Sequence, residues 1–343
     1  MTVWSRKGKV WPQMPGDLGP GEENFQEIVV STYLECDMER DEVLRLTRGI
    51  ALTSITPFNA DGSIDDKGIH QLVEFLIENG LNRQNGFLVP LSTTGNFLAL
   101  SLEERKRVVE VFMDAVSGRL PVMVGCNHIR LSDSIELAKF SQAHGALGIM
   151  VCPPFYWKAT EAQIIDHFHQ ICKSVDIGVI IYNNHWASQV DLSVMTIGEI
   201  LKNPNVVGLK ESTYSVMKLI EVNRRFADRI NILNGLGEAY EPAYWQLGCQ
   251  GFTSTLGNVI PEISVKLYSL IVKEEFNEAK SLADRVASLS NFMDSLSGGQ
   301  YIAGLKYVLG QKGICKSTVR APILSLTKDE MKRLDALIEG LKP

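Results

Sequence analysis

The chain has 343 residues, of which 45% are hydrophobic and 22% charged, and a formal net charge of −6. That is the balance of an ordinary soluble globule, long enough for one large α/β unit or two medium ones. With no basic tract there is no electrostatic footprint for nucleic acid, and no apolar run reaches the ~18 residues needed to span a bilayer.

Residues 1–48 carry Trp4, Trp11, Pro12, Pro15 and Pro20, then an acidic stretch from Glu22 to Glu42. No apolar core of a secretory signal is present, and the acidic residues argue against a mitochondrial transit peptide. The segment reads as an extension outside the catalytic domain, either partly disordered or packed on a neighbouring subunit. The six cysteines, Cys36, Cys126, Cys152, Cys172, Cys249 and Cys315, form no CxxC pair and have no histidine at zinc-ligand spacing. They read as buried thiols in a reducing compartment, which places the protein in the cytoplasm. Cys126 and Cys152 fall at predicted strand ends, so a minor role in a pocket stays open.

From Gly49 onward, short apolar runs alternate with amphipathic stretches. The runs are Gly49–Ile55, Gly86–Leu91, Pro121–Gly125, Gly148–Cys152, Val179–Tyr182, Val206–Lys210, Ile230–Asn234 and Gly251–Ser254. Near-continuous Val, Ile, Leu and Met over so few residues is the pattern of parallel strands buried on both faces. Between them, Asp66–Asn79 places Ile69, Leu72, Val73, Leu76 and Ile77 on one helical stripe. Ser101 and Glu104 form a capping box ahead of a periodic run to Val116. Helical patterns follow at Ser132–His144, Thr160–Val175, Ser193–Leu201, Tyr214–Phe226 and Tyr240–Leu247.

Eight strands alternating with helices fit either a closed barrel or an open doubly wound sheet. No G-x-G-x-x-G turn follows the first strand, where Thr56-Pro57-Phe58 stands instead, and the count of eight favours a (β/α)8 TIM barrel. After Pro261 the pattern is helical only: Ile263–Lys273, Asn277–Ser295, Tyr301–Leu309 and Thr327–Leu341. The expected organisation is therefore an extension at 1–48, a catalytic barrel at 49–260 and C-terminal helices at 261–343 packed beside it.

In such barrels the active site lies at the C-terminal ends of the strands, so the residues closing each run carry the information. The second strand ends in Ser92-Thr93-Thr94-Gly95-Asn96, hydroxyls and a turn whose N–H groups suit a carboxylate, although an ordinary Ser/Thr turn has the same composition. The fourth ends in Pro153-Pro154-Phe155-Tyr156-Trp157, a stiff aromatic loop that suits a site or a subunit contact. Tyr182 closes the fifth, where it is either a proton-passing phenol or a satisfied core tyrosine. Lys210 closes the sixth. A lysine buried there loses its charge readily and becomes an amine able to attack a carbonyl; the alternative is a lysine that reaches the rim or pairs with Glu211. The seventh strand ends in Gly235-Leu236-Gly237, where backbone can approach a ligand closely, but no basic residue follows to complete a phosphate cradle. His167 and His169 lie two apart in a predicted helix and face different ways, so no metal is expected.

These strand-end motifs, in order Thr93-Thr94-Gly95, Pro154-Phe155-Tyr156, Tyr182-Asn183 and Gly208-Leu209-Lys210-Glu211-Ser212, resemble those of the dihydrodipicolinate synthase / N-acetylneuraminate lyase family. Thr56-Pro57-Phe58 and the segment from Gly235 to Asn258 fit it too, so the resemblance covers residues 49–343. It implies a class I, Schiff-base lyase acting on pyruvate-type 2-keto acids and an aldehyde partner, with no metal or organic cofactor, commonly a homotetramer built as a dimer of dimers. By this resemblance Lys210 is the Schiff-base lysine and Tyr182 the proton shuttle. Thr93 and Thr94 hold the keto-acid carboxylate, and Thr94 links Tyr182 to Tyr156, which reaches a neighbouring subunit's site. Gly235 and Thr253 line the lysine pocket by their backbone.

The chain departs from the family pattern at two places. Asn96 replaces the usual acidic residue after Thr-Thr-Gly. The usual Tyr-Asn-x-Pro stretch, with an arginine two residues after the proline, reads Tyr182-Asn183-Asn184-His185-Trp186-Ala187. His185 stands for the proline, Ala187 for the arginine that grips the second substrate's distal carboxylate. A fork-shaped cation on a carboxylate contributes on the order of 1.5–3 kcal/mol, so strict dihydrodipicolinate synthesis is not expected, and the loop around His185 and Trp186 should set the second substrate. The rival from another class is a non-catalytic barrel that binds 2-keto acids; Asn96 and the altered loop are its support. A phosphate-binding isomerase lacks the basic residues it would need.

Overall fold

The computed structural model describes residues 40–341; of the expected extension, residues 1–39 therefore lie outside the described residues. Eight parallel strands form the centre: β1 Gly49–Leu52, β2 Gly86–Leu88, β3 Met123–Gly125, β4 Gly148–Val151, β5 Gly178–Asn183, β6 Val206–Glu211, β7 Asn231–Asn234 and β8 Gly251–Ser254. They run in the order β2-β1-β8-β7-β6-β5-β4-β3, and a parallel bridge between Leu88 and Val122 closes β2 onto β3. The architecture is the (β/α)8 barrel that the alternation predicts.

Every strand residue is buried, and neighbours in register share a face. Ala51 pairs Phe87 and Thr253, Met150 pairs Ile180, and Tyr182 pairs Lys210, which pairs Leu233. These side chains fill the barrel. Ala51, Phe87, Val89, Met123, Met150, Ile180, Tyr182 and Leu233 form one interior cluster, while Leu52, Leu88, Val151, Ile181 and Leu209 belong to the separate outer cluster under the helices. An interior of that kind is a packed core and not a pore.

The first described helix, Arg40–Leu46, stands at the opposite end from the strand C-termini. Its Val43 and Leu46 join the interior cluster. Arg40 donates to the carbonyls of Pro204 (3.1 Å), Val206 (3.2 Å) and Arg229 (2.5 Å), at the starts of β6 and β7. Asn231 in turn donates to the Leu44 carbonyl at 2.6 Å and to the Thr47 hydroxyl at 2.9 Å. Residues 40–48, grouped with the extension on sequence, thus form a plug for the barrel floor. Burying two such apolar side chains contributes about 1.5–3 kcal/mol each.

Helix ends follow their capping residues. Ser101 and Glu104 make the predicted capping box, and Thr160 with Gln163 and Thr327 with Glu330 make two more. Four helices follow the barrel: Pro261–Val272, Phe276–Ser295, Tyr301–Gln311 and Lys328–Glu339. They are clamped to its mouth side. Arg320 pairs with Glu104 at 2.6 Å and donates to the Gly62 and Ala99 carbonyls. Lys306, fully buried, lies 3.8 Å from the centre of the Phe58 ring and donates to Thr318 O at 2.9 Å.

Strand β2, Gly86–Leu88, is shorter than its apolar run, Gly86–Leu91. Pro90 and a Leu91 with φ of 57° turn the chain out of the ladder before Thr93, which frees the hydroxyl turn to sit over the barrel mouth.

Candidate active site

Lys210 is the next-to-last residue of β6 and points inward, 5% exposed. Its Nζ lies 3.9 Å from the centre of the Tyr182 ring, on the neighbouring strand. Burial pulls the ammonium down to about 7, with the Cys152 thiol acting in the opposite sense. Cys152 itself is pushed up to about 12 by burial and stays a neutral thiol, as does Cys126. An amine that titrates near 7, with no carboxylate beside it among the described residues, is a nucleophile in neutral solution.

Pairing with Glu211 was the competing expectation for Lys210, and the strand's two-residue period decides it. Glu211 faces outward. Its carboxylate accepts from Asn183 Nδ2 at 2.9 and 3.0 Å and from the Thr213 N–H at 2.8 Å, and it pairs with Lys218 at 3.0 Å. That acid is consumed by the wall behind the site.

Tyr182 is 8% exposed, and burial foremost, then the phenol of Tyr301, hold its own phenol above the usual range; a hydrogen bond with Thr93 acts against them. Thr93 is exposed at the mouth while Thr94 is buried. The Thr94 hydroxyl donates to Thr53 Oγ1 at 3.1 Å and lies 3.4 Å from the phenol oxygen of Tyr301. Thr53 donates to the Ser254 carbonyl at 3.1 Å, which ties this hydroxyl string to the end of β8.

Opposite, Gly235 follows β7. A Cβ there would stand 2.1 Å from Ser212 Oγ and 2.7 Å from the Glu211 carbonyl, so the β6 and β7 ends meet only because the residue is glycine. Thr253 on β8 is 3% exposed, and its hydroxyl has no hydrogen-bond partner among the described residues. The chain thus brings Lys210, Tyr182, Thr93, Thr94, Gly235 and Thr253 to one end of one barrel.

Tyr156 is turned out to solvent, and His185 follows closely on the end of β5. Tyr156, with φ of 82°, is 68% exposed, and its ring stacks edge-on against Trp157 at 5.1 Å. His185 opens a four-residue helix, His185–Ser188, within the segment read as a loop on sequence. Asn184 caps it by accepting from the Ala187 N–H at 3.4 Å. The His185 ring lies 4.2 Å from that of Trp186, which in turn meets Tyr214 at 5.7 Å. Ala187 is exposed in the same turn.

Sequence reasoning missed Thr53 and Tyr301. Thr53 lay inside an apolar run and read as a strand residue. Tyr301 opens a helix of the C-terminal bundle, and only the tertiary packing carries it to Thr94.

A barrel whose sixth strand delivers a buried, readily neutral lysine beside a phenol is that of an enzyme, a lyase of the class I aldolase type. Comparison with known proteins gives the family. The model of the dihydrodipicolinate synthetase family matches residues 46–341. The chain is 30% identical over 295 residues to the 4-hydroxy-tetrahydrodipicolinate synthase of Bartonella bacilliformis, covering 86% of this chain and 98% of that protein. Against the synthase of Bartonella quintana the identity is 31% over 296 residues, covering 85% and 97%. Among solved structures it resembles a prophage protein of the dihydrodipicolinic acid synthase family from E. coli K12, solved in complex with pyruvate, with TM-score 0.80, 27% identity and coverage of 86% and 99%. The chain belongs to the dihydrodipicolinate synthetase family.

Proposed function

We propose that the protein forms a Schiff base between Lys210 and the keto carbon of pyruvate or a pyruvate-derived acid, and that it makes or breaks an aldol bond, or removes water, at the adjoining carbon. The observation that carries this reading is the placement of the Lys210 amine, buried and 3.9 Å from the centre of the Tyr182 ring. The neutral amine adds to the carbonyl, and loss of water leaves an iminium that draws electrons from the neighbouring carbon. Removal of a proton there gives an enamine, which attacks an aldehyde; in reverse, a longer 2-keto acid is cleaved. Tyr182 is the group in reach to move these protons. Thr93 and Thr94 hold the keto acid's carboxylate, Gly235 and Thr253 line the lysine pocket by their backbone, and His185 belongs to the substrate pocket.

With Ala187 in place of a cation, the second substrate is an aldehyde other than the semialdehyde of strict dihydrodipicolinate synthesis. The exposed Tyr156 and Trp157 suit a subunit contact, in keeping with a homotetramer arranged as a dimer of dimers, in which Tyr156 reaches a neighbouring site. The described cysteines are free thiols, four of them buried, in keeping with the cytoplasm. The division at 48 and 260 remains our proposal for the domain limits. A keto-acid binder without turnover would not need Lys210 and Tyr182 held together.

The test is incubation with pyruvate and borohydride, followed by intact-mass analysis. One reduced pyruvate adduct, mapped to Lys210 and absent from Lys210→Ala, is the expected result. Absence of any adduct with pyruvate and longer 2-keto acids would overturn the reading.

A further inference from the structure

We propose that Lys306 is a positioning residue for this active site: its uncharged amine latches the C-terminal helix Tyr301–Gln311 onto the loop after β1, and charging that amine releases the helix and loosens the turn at Thr94. The proposal rests on the Schiff-base reading above.

The latch is built around one ring. Phe58, fully buried in the loop after β1, has the Lys306 amine 3.8 Å from its ring centre and the Arg320 guanidinium 4.5 Å from it. Lys306 is itself fully buried, and its amine donates to the Thr318 carbonyl at 2.9 Å. The segment carrying Thr318 folds back on the helix. Ser317 donates to the Lys306 carbonyl at 3.3 Å, and a Cβ at Gly310 would stand 2.3 Å from Ser317 Oγ, so glycine admits the close approach.

Two connections run from the latch to Thr94. Along the helix, Tyr301 opens the element that carries Lys306 and sets its phenol oxygen 3.4 Å from Thr94 Oγ1. Along the loop, Thr56 donates to the Gly95 carbonyl at 2.8 Å, and Thr53 accepts from the Thr94 hydroxyl at 3.1 Å. A shift of Phe58 or of the helix is therefore felt at the turn that holds the keto acid's carboxylate in the reading above.

Charge decides whether the latch stays shut. An ammonium brings three donors and meets one carbonyl here. No carboxylate pairs with it among the described residues, and Arg320 opposes a second positive charge beside the ring. The ring's attraction for a cation is smaller than the cost of burying an unpaired charge. Burial accordingly pulls the amine down to about 7, with the Cys315 thiol acting against it and Arg320 with it. The other charged groups packed around the latch act on these neighbours: Glu104 pairs with Arg320, Asp65 acts on Cys315, and Lys316 donates to Asn59 Oδ1. Above pH 7 the amine is neutral and holds its place; below, it is charged and better solvated outside. The site then depends on two amines, Lys210 and Lys306, and both must be uncharged for the pyruvate adduct to form efficiently.

On the full-length protein, the rate of adduct formation at Lys210 is followed from pH 5.5 to pH 9 by timed incubation with pyruvate, quenching with borohydride and intact-mass analysis. Well below pH 7 the wild-type rate is expected to fall about 100-fold per pH unit, the signature of two protons. Lys306→Gln keeps an N–H for Thr318 and carries no charge. It should keep the adduct at Lys210 and fall about tenfold per unit, the signature of one proton. Its rate at pH 6, taken relative to its own rate at pH 9, should exceed the same ratio for the wild type by about tenfold. The pyruvate concentration for half-maximal rate should rise below pH 7 in the wild type and stay level in the variant. Lys306→Met, with a similar apolar stem and no charge, should give the same slope and serves where the glutamine variant does not fold. A lysine that only packs would leave the slope unmoved.

A one-proton fall in the wild type overturns the proposal, and so does a slope that the uncharged variants leave unaltered. No adduct in the wild type at any pH would instead sink the Schiff-base reading beneath it.

Discussion

Lys210 and Glu211 are consecutive residues on opposite sides of the barrel wall. The amine lies inside, 3.9 Å from the centre of the Tyr182 ring, and the carboxylate lies outside, bonded to Asn183 and Lys218. A one-residue slip of β6 would exchange them, since side chains on a strand alternate. The register that prevents it is held by Asn183, whose pairing with Glu211 runs beside the Tyr182–Lys210 pairing.

The buried amine implies a pH dependence and a stability effect. With Lys210 pulled down to about 7, adduct formation should rise through pH 7 and level off above it, since only the neutral amine attacks. Unfolded, the lysine titrates near its ordinary value, so burial costs stability fully below about pH 7, and the cost fades as pH rises toward the unfolded value of about 10.4. Lys210→Met should therefore abolish the adduct and yet raise the melting temperature at pH 7, by a margin that shrinks toward pH 10. The gain is on the order of a few kcal/mol. A lower melting temperature at pH 7 would mean that the amine is held by partners that its surroundings do not reveal.

Much of this site was legible in the sequence because parallel strands buried on both faces are written as short apolar runs, and a lysine or tyrosine at the end of such a run stands out. What sequence could not place depends on tertiary contact. The helix Arg40–Leu46 is too short for periodicity to separate it from the acidic stretch before it, and only the barrel floor makes use of Val43 and Leu46. Tyr301 sits in a helix whose local pattern speaks only of packing. Its relation to Thr94 spans 207 residues.

Gly235 tests how tightly the β6 and β7 ends are joined. Gly235→Ala would set a methyl 2.1 Å from Ser212 Oγ and 2.7 Å from the Glu211 carbonyl. The serine can turn away, but the backbone carbonyl next to Lys210 cannot. The variant should lose about 1–3 kcal/mol of stability, the usual cost of overpacking, and should form the pyruvate adduct more slowly than the wild type. Denaturant unfolding and the rate of borohydride trapping read the two effects separately. Wild-type behaviour in both would show that the loop relaxes freely.

Behind the site, Glu241 is fully buried, with one oxygen accepting from Asn234 at 2.9 Å, and burial pushes its carboxyl up to about 8. A carboxyl raised in the folded state supports folding fully below its unfolded value of about 4.3, and that support is lost as pH rises to about 8. Stability measured from pH 5 to pH 9 should therefore fall, other groups equal. Glu241→Gln, which keeps the shape and carries no charge, should reduce the slope. The melting-temperature difference between variant and wild type should favour the variant more at pH 9 than at pH 5. An unchanged slope would place the proton elsewhere, with Glu238, also buried and bonded to Ser254 and Ser264, as the partner to examine.

Specificity is the last expectation. Ala187 is exposed in the short helix after β5, beside the ring pair of His185 and Trp186, and it occupies the place where relatives that grip a distal carboxylate are expected to carry arginine. A guanidinium there would add a charge-assisted pair of hydrogen bonds, about 1.5–3 kcal/mol, which corresponds to a factor of roughly 10–150. Ala187→Arg should raise kcat/KM for an aldehyde bearing a distal carboxylate by a factor in that range. It should leave pyruvate adduct formation at Lys210 unchanged, because under the proposed function the keto acid is held by the turn after β2 while residue 187 follows β5. Steady-state kinetics with pyruvate and aspartate semialdehyde, beside an uncharged aldehyde of similar length, separates the two effects. Efficient use of the semialdehyde by the wild type would mean that another cation serves the carboxylate and that residue 187 does not set the choice of acceptor.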